Sequence, residues 1–92
     1  MFELVGTYNN LQLGKNEWHE IWSYIVKSDE EGFISDYEKL YAETYMGLLI
    51  SERKVNYILY LLSNTNENSF KYKYAFKDFC NFCAISKGFI IQ

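Results

Sequence analysis

Few residues in this 92-residue chain have the type and spacing to do chemistry. Its two cysteines form a Cys80-x-x-Cys83 pair, a spacing used both by zinc sites and by thiol–disulfide motifs. Zinc needs two further ligands, and His19 is the one histidine in the chain, so the ligand set does not close. A redox pair opens a helix that follows a strand, where the helix dipole lowers the thiol pKa. Here both cysteines fall on the apolar stripe of a predicted helix. The expectation is a pair of buried free thiols in a reducing cytoplasm, packing as small hydrophobes. A disulfide at that spacing would be strained.

Lys27–Glu38 has part of the outline of a calcium loop, with Gly32 sixth, Glu38 twelfth, and Asp29 and Glu31 third and fifth. The first ligand position, however, is Lys27, whose ammonium repels a cation. Calcium is rejected, and the stretch reads as an acidic interhelical loop with a turn glycine. No motif marks a serine or cysteine nucleophile beside His19, no glycine loop cradles phosphate, and no His-Glu-x-x-His occurs. Paired carboxylates are plentiful, but nothing marks a pocket that would raise the pKa of one of them. The chain is expected not to be an enzyme and to use no metal and no cofactor.

What remains is charge. Residues 17–43 hold Glu17, Glu20, Asp29, Glu30, Glu31, Asp36, Glu38 and Glu43 against Lys27 and Lys39, a local charge of −6. Residues 68–92 hold Lys71, Lys73, Lys77 and Lys87 against Asp78, so the chain is a dipole in sequence. Glu17 and Glu20 lie one turn apart, largely off the tryptophan stripe of the first predicted helix, and Asp36 and Glu43 share a face of the second. Carboxylates one turn apart are spaced by about 5–6 Å, comparable with successive phosphates along a DNA strand of roughly 3.4 Å rise plus helical offset. A rigid scaffold carrying such a belt would fit a DNA-binding groove. An ordinary solvated face is the competing reading, because charge pattern bears on association and not on fold.

Lys71, Lys73 and Lys77 interleave with Tyr72, Tyr74 and Phe76, which suggests bases stacked on aromatics. Four lysines without a neighbouring arginine, in a chain of net charge −3, make too thin an electrostatic footprint for nucleic acid. Contact with the acidic belt explains them as well.

The elements that must hold these residues follow from periodicity. Phe2–Val5 has strand character, Asn9 and Asn10 mark a turn, and Leu11–Leu13 reads as a return strand. Trp18, Ile21, Trp22 and Ile25 form the stripe of a first helix, with Asn16 as its cap. Ser35 and Glu38 form a capping box for a second helix, which the spacing of Tyr37, Leu40, Tyr41, Tyr45, Leu48 and Leu49 carries to about Ile50. At Ser51 either a third helix is capped or the second bends; Val55, Ile58, Leu59 and Leu62 are its stripe. Ser63–Ser69 is a polar loop. A last helix is expected from about Ser69 to Ser86, although residues 70–76 also alternate like a strand. Phe89–Ile91 would pair beside Phe2–Val5. The fold class is therefore expected to be mainly α, three to four helices in one small domain with a minor terminal β element, α+β being the alternative.

Composition fits one globular domain: 49% hydrophobic and 23% charged residues, with no apolar run long enough to cross a membrane. The acid in Met1–Gly6 stands where a signal peptide would carry positive charge. Aromatics make up 20% of the chain, with nine tyrosines, more than so small a domain readily hides. A homodimer is the simplest way to cover them.

The opening segment Met1–Asn10 (MFELVGTYNN), the length and the moderate acidity together resemble the small anti-restriction nuclease (Arn) proteins of T-even bacteriophages. The resemblance spans the whole chain but carries no motif from which individual residues could be transferred. It implies a dimeric DNA mimic, made early in infection, that acts in the host cytoplasm. Such a protein binds the host's modification-dependent McrBC restriction endonuclease and blocks its access to phage DNA, without binding nucleic acid or membrane itself. Strong DNA mimics are often far more acidic than −3, so mimicry here would depend on where the charges lie. The partner-binding candidates are accordingly the eight acids of the belt. A second functional class is a helical dimeric adaptor that docks a host protein through its tyrosines without mimicking DNA.

Overall fold

Four short segments are extended, and along each of them one face is more deeply buried than the other, so each pairs with a neighbour. A computed structural model describes residues 1–92. β1 (Phe2–Gly6) pairs antiparallel with β2 (Asn10–Leu13) through the Asn9 turn. β4 (Gly88–Ile91) returns along the other side of β1, and β3 (Leu48–Ser51) pairs with β4. The result is a four-stranded antiparallel sheet of order β2-β1-β4-β3. Four helices accompany it: α1 (Lys15–Ser28), α2 (Asp36–Tyr41), α3 (Glu52–Leu62) and α4 (Lys73–Ile85), with a 3-10 turn at Glu67–Ser69. No helix is long and apolar enough to cross a membrane.

This corrects the expected fold class. The protein is α+β, not mainly α with a minor β element. The terminal strands occur where expected; the added strand is β3, in the stretch assigned to the second helix. α2 stops at Tyr41, Tyr45 and Gly47 take positive φ of 61° and 73°, and Leu48–Ser51 is extended. Two left-handed residues in three reverse the chain, and no helix passes through them. The apolar run then alternates, with Leu48 and Ile50 buried and Leu49 exposed. Ser51 closes the strand and caps α3 at once, accepting the N–H of Lys54.

The helices cover one face of the sheet. Phe2, Leu4, Leu13, Leu48, Ile50, Phe89 and Ile91 point into that layer and are buried. They meet Trp18, Ile21, Trp22 and Ile25 of α1, Val55, Ile58 and Leu62 of α3, and Phe76, Phe79, Phe82 and Cys83 of α4. Trp18 is the hub, with ring centroids 5.5 Å from Trp22, 5.6 Å from Phe79 and 6.4 Å from Phe2. Its indole N–H donates to the carbonyl of Ala42 at 2.9 Å, tying the end of α2 to α1. The helix caps differ in detail from expectation: Gly14, not Asn16, caps α1, and α4 begins at Lys73 instead of Ser69.

Candidate partner-binding surface

The structure separates the eight acids of the belt into those that hold the fold and those that face solvent. Glu17 sits in the first turn of α1 and reaches back to accept the Gly14 N–H at 2.7 Å. Glu20, one turn on, accepts the backbone N–H groups of Lys71 and Tyr72 at 2.9 and 3.0 Å. Those are donors at the start of α4, which has no side-chain cap of its own. A carboxylate from α1 thus caps a helix 51 residues away, where the helix dipole also favours negative charge. Sequence spacing gives no sign of this pairing.

Asp29 ends α1 and organises the loop that follows. One of its oxygens accepts the Phe33 N–H at 3.0 Å and the Tyr57 hydroxyl, and the other accepts the Ile34 N–H at 2.7 Å. Burial alone would raise this carboxyl, but the bonds from Tyr57 and from the Ile34 and Phe33 backbone outweigh it and hold its pKa below the usual value. The same Asp29 bond, with some burial, pushes Tyr57 up to about 12. Glu38 completes the capping box with Ser35 and meets the Lys54 ammonium at 2.6 Å. Burial again opposes ionisation, and the Lys54 and Ser35 bonds prevail, leaving its pKa lowered. Glu43 lies beyond α2 and bonds to His19 at 2.7 Å, so it does not share a helix face with Asp36.

Three acids face solvent without such ties. Glu30 and Glu31 stand at the tip of the α1–α2 loop, and Asp36, fully exposed, opens α2, with Lys39 no nearer than 4.0 Å. The belt is therefore not one free face. It contracts to a rigid acidic loop, residues 29–38, which holds five carboxylates and no basic residue. Asp29 and the capping box fix its two ends.

The basic segment is also internally engaged. Lys71 and Lys73 lie over the rings of Tyr72 and Tyr74, at 5.4 and 5.5 Å from their centroids. Lys77 is 3.7 Å from Glu67. Cys80 is half-buried and Cys83 buried, both as free thiols, and burial raises both thiol pKa values. Such thiols are poor nucleophiles at neutral pH.

A second feature adjoins the acidic loop and escaped sequence reasoning. Of the large apolar side chains that are exposed, Tyr37, Leu40, Tyr45, Met46 and Leu49 cluster in α2, the turn and β3. A groove of about 470 Å³ runs between α2 and β3, lined by Tyr37, Tyr41, Met46 and Leu49 among others. A single helix carried to about Ile50 conceals it, because the chain reversal at Tyr45 and Gly47 is what sets α2 beside β3. Comparison with protein families, curated proteins and solved structures returns no match for this chain.

Proposed function

We propose that this chain is a non-enzymatic inhibitor that occupies the DNA-binding groove of a nuclease, its carboxylates taking the place of DNA phosphates. The observation that carries this reading is the acidic loop, residues 29–38: Asp29 and the Ser35–Glu38 capping box pin its two ends, and between them Glu30, Glu31 and Asp36 present free carboxylates to solvent. A loop backbone held at both ends loses little entropy on docking, as a phosphate surrogate requires. Asp29 and Glu38 have depressed pKa values and serve the fold, Glu38 with its charge paired to Lys54, so the free negative charge at the loop surface is carried by Glu30, Glu31 and Asp36. The resemblance of the opening segment, length and acidity to the anti-restriction proteins supplies the class of enzyme, a modification-dependent restriction endonuclease of the McrBC type. The site of action would then be the host cytoplasm.

The test separates charge from fold. Reversing Glu30, Glu31 and Asp36 together to Lys changes only side chains outside the loop's hydrogen bonds. The variant is expected to keep the helical signal of the parent and to lose at least tenfold in inhibition. Unchanged inhibition would assign the contact elsewhere.

The adaptor reading has one observation in its favour, the exposed cluster of Tyr37, Leu40, Tyr45, Met46 and Leu49. Its discriminator is competition: excess DNA would displace a mimic from its partner but leave an adaptor bound.

A further inference from the structure

The acidic loop has a freely turning residue at its centre. Gly32 takes a positive φ of 71° between Glu31 and Phe33, and a Cβ there would meet nothing within 4 Å. Glycine is the least restrained of residues, so Glu30 and Glu31 keep their spacing from Asp36 only if the chain is held again just past it. The hold comes from α3. Lys54 and Tyr57 stand one turn apart on this helix, flanking its buried stripe of Val55, Ile58 and Leu62. The Lys54 ammonium donates to the Phe33 carbonyl and, at 2.6 Å, to Glu38. The Tyr57 hydroxyl donates to Asp29, whose carboxylate also accepts the Phe33 N–H. Both backbone groups of Phe33 are thereby engaged, and its ring stacks on that of Tyr57 with centroids 4.9 Å apart. The Lys54 ammonium lies 5.7 Å from the centroid of the same Phe33 ring. Ile34, the next residue, is buried in the core.

We propose that Lys54 and Tyr57 are positioning residues: α3 is the template on which the acidic loop is set, and this clamp, more than charge alone, decides how tightly Glu30, Glu31 and Asp36 engage a basic groove. The inference rests on the reading of the loop as a phosphate surrogate. Neither clamp residue has to touch the partner. The Lys54 and Glu38 side chains are only 16% and 13% exposed. A pair so covered is weak grounds for net stability, because desolvation offsets the attraction. Holding one arrangement of the loop is the role that remains. A loop ordered on folding is not ordered again on docking, whereas a free one loses its backbone entropy at that moment.

Charge and clamp predict opposite signs. Removing the Lys54 charge leaves Glu38 without its partner and makes the chain one unit more negative than −3. If charge alone governs, attraction to a basic groove rises. If the clamp governs, inhibition falls.

Inhibition of DNA binding by the nuclease and amide exchange of the free protein are measured on the same variants. Tyr57→Phe keeps every charge and the ring beside Phe33 while losing the bond to Asp29, and is expected to weaken inhibition roughly threefold. Its salt dependence should keep the slope of the parent, since its carboxylates are unchanged. Lys54→Gln is expected to weaken inhibition roughly fivefold or more despite the added negative charge, and Lys54→Arg to restore most of that loss. In Tyr57→Phe and Lys54→Gln exchange should rise in residues 30–35 and stay at the level of the parent in Trp18–Ile25. Equal or stronger inhibition by Lys54→Gln, with the Glu30, Glu31 and Asp36 triple lysine variant inactive, would overturn the clamp and leave the loop as the contact. Full inhibition by that triple variant would overturn the surrogate reading and the clamp with it. Unchanged exchange in residues 30–35, or exchange raised equally in Trp18–Ile25, would also overturn the proposal, the second because the effect is then one of global stability. Should Lys54→Gln fail to fold, Tyr57→Phe decides, and undiminished inhibition by it overturns the proposal.

Discussion

Removing the Asp29 carboxylate is expected to weaken the whole protein, and not only the loop in which it lies. Asp29→Ala deletes three hydrogen bonds, two to backbone N–H groups and one to the Tyr57 hydroxyl. Bonds to a charged acceptor are worth about 1.5–3 kcal/mol each, with a further cost for any donor left buried. Here the Phe33 N–H can turn to water, while those of Ile34 and Tyr57 are partly buried. A loss of about 2–3 kcal/mol follows, because the three bonds share one acceptor group and do not add. In a chain of this length each kcal/mol moves the melting point by about 4–8 °C, so the variant should melt roughly 10–20 °C lower at pH 7. Tyr57→Phe, which removes one of the three bonds, should cost less than half as much.

The difference has a pH signature. The carboxyl pKa is lowered in the folded state, so its contribution is fully present above the unfolded value of about 3.9 and is lost as pH falls through the folded value. Thermal melts of parent and Asp29→Ala followed by circular dichroism should therefore draw together as pH falls below about 3.9 and through the folded carboxyl's value, while remaining apart from pH 5 to 7. A variant melting within about 2 °C of the parent at neutral pH would refute this account of the loop, as would a gap that persists unchanged into acid.

Other outcomes follow from the same geometry. Glu20→Ala uncaps α4 at a distance and should cost about 1–2 kcal/mol, with amide exchange rising first in residues 71–76, at and just after the start of α4; protection unchanged there would remove Glu20 from that role. Gly88→Ala should be more damaging than Gly47→Ala by chemical denaturation: both positions have positive φ, but a Cβ at Gly88 lies 3.0 Å from the Ile50 carbonyl oxygen and one at Gly47 meets nothing within 4 Å. Equal losses would show that the tight approach of β4 to β3 has no energetic weight. With neutral thiol reagents Cys80 should react slowly and Cys83 only on unfolding, both rates rising with pH, since burial raises both thiol pKa values; fast native labelling of Cys83 would contradict its packing.

The parts of this fold legible in the sequence are those set by local chemistry. The stripe Trp18, Ile21, Trp22, Ile25 is buried as its spacing requires, and the Ser35–Glu38 capping box forms as its residues specify. Ser51 caps α3, and Phe89–Ile91 pairs with β1. The failure at Leu48–Ser51 also has a local cause. A short apolar run carries no period of its own, and Tyr37, Leu40, Tyr41 and Tyr45 lent it a helical one. Gly47 was the signal available, a turn residue set before three β-competent residues and a helix cap. The acidic belt is divided for a different reason. Glu17 and Glu38 bond within three residues of themselves, which spacing can suggest, whereas Glu20 and Glu43 find partners 51 and 24 residues away. Which carboxylates stay free is decided by tertiary contacts that no local pattern carries.

The central claim, a carboxylate surface standing in for DNA, is tested most directly by competition. Labelled methylated DNA bound to the recognition subunit of an McrBC-type endonuclease is titrated with this protein and followed by fluorescence anisotropy. The account predicts that the protein displaces the DNA without itself binding it, and that displacement weakens as salt screens the carboxylates. DNA that stays bound at low salt under excess protein would contradict the account.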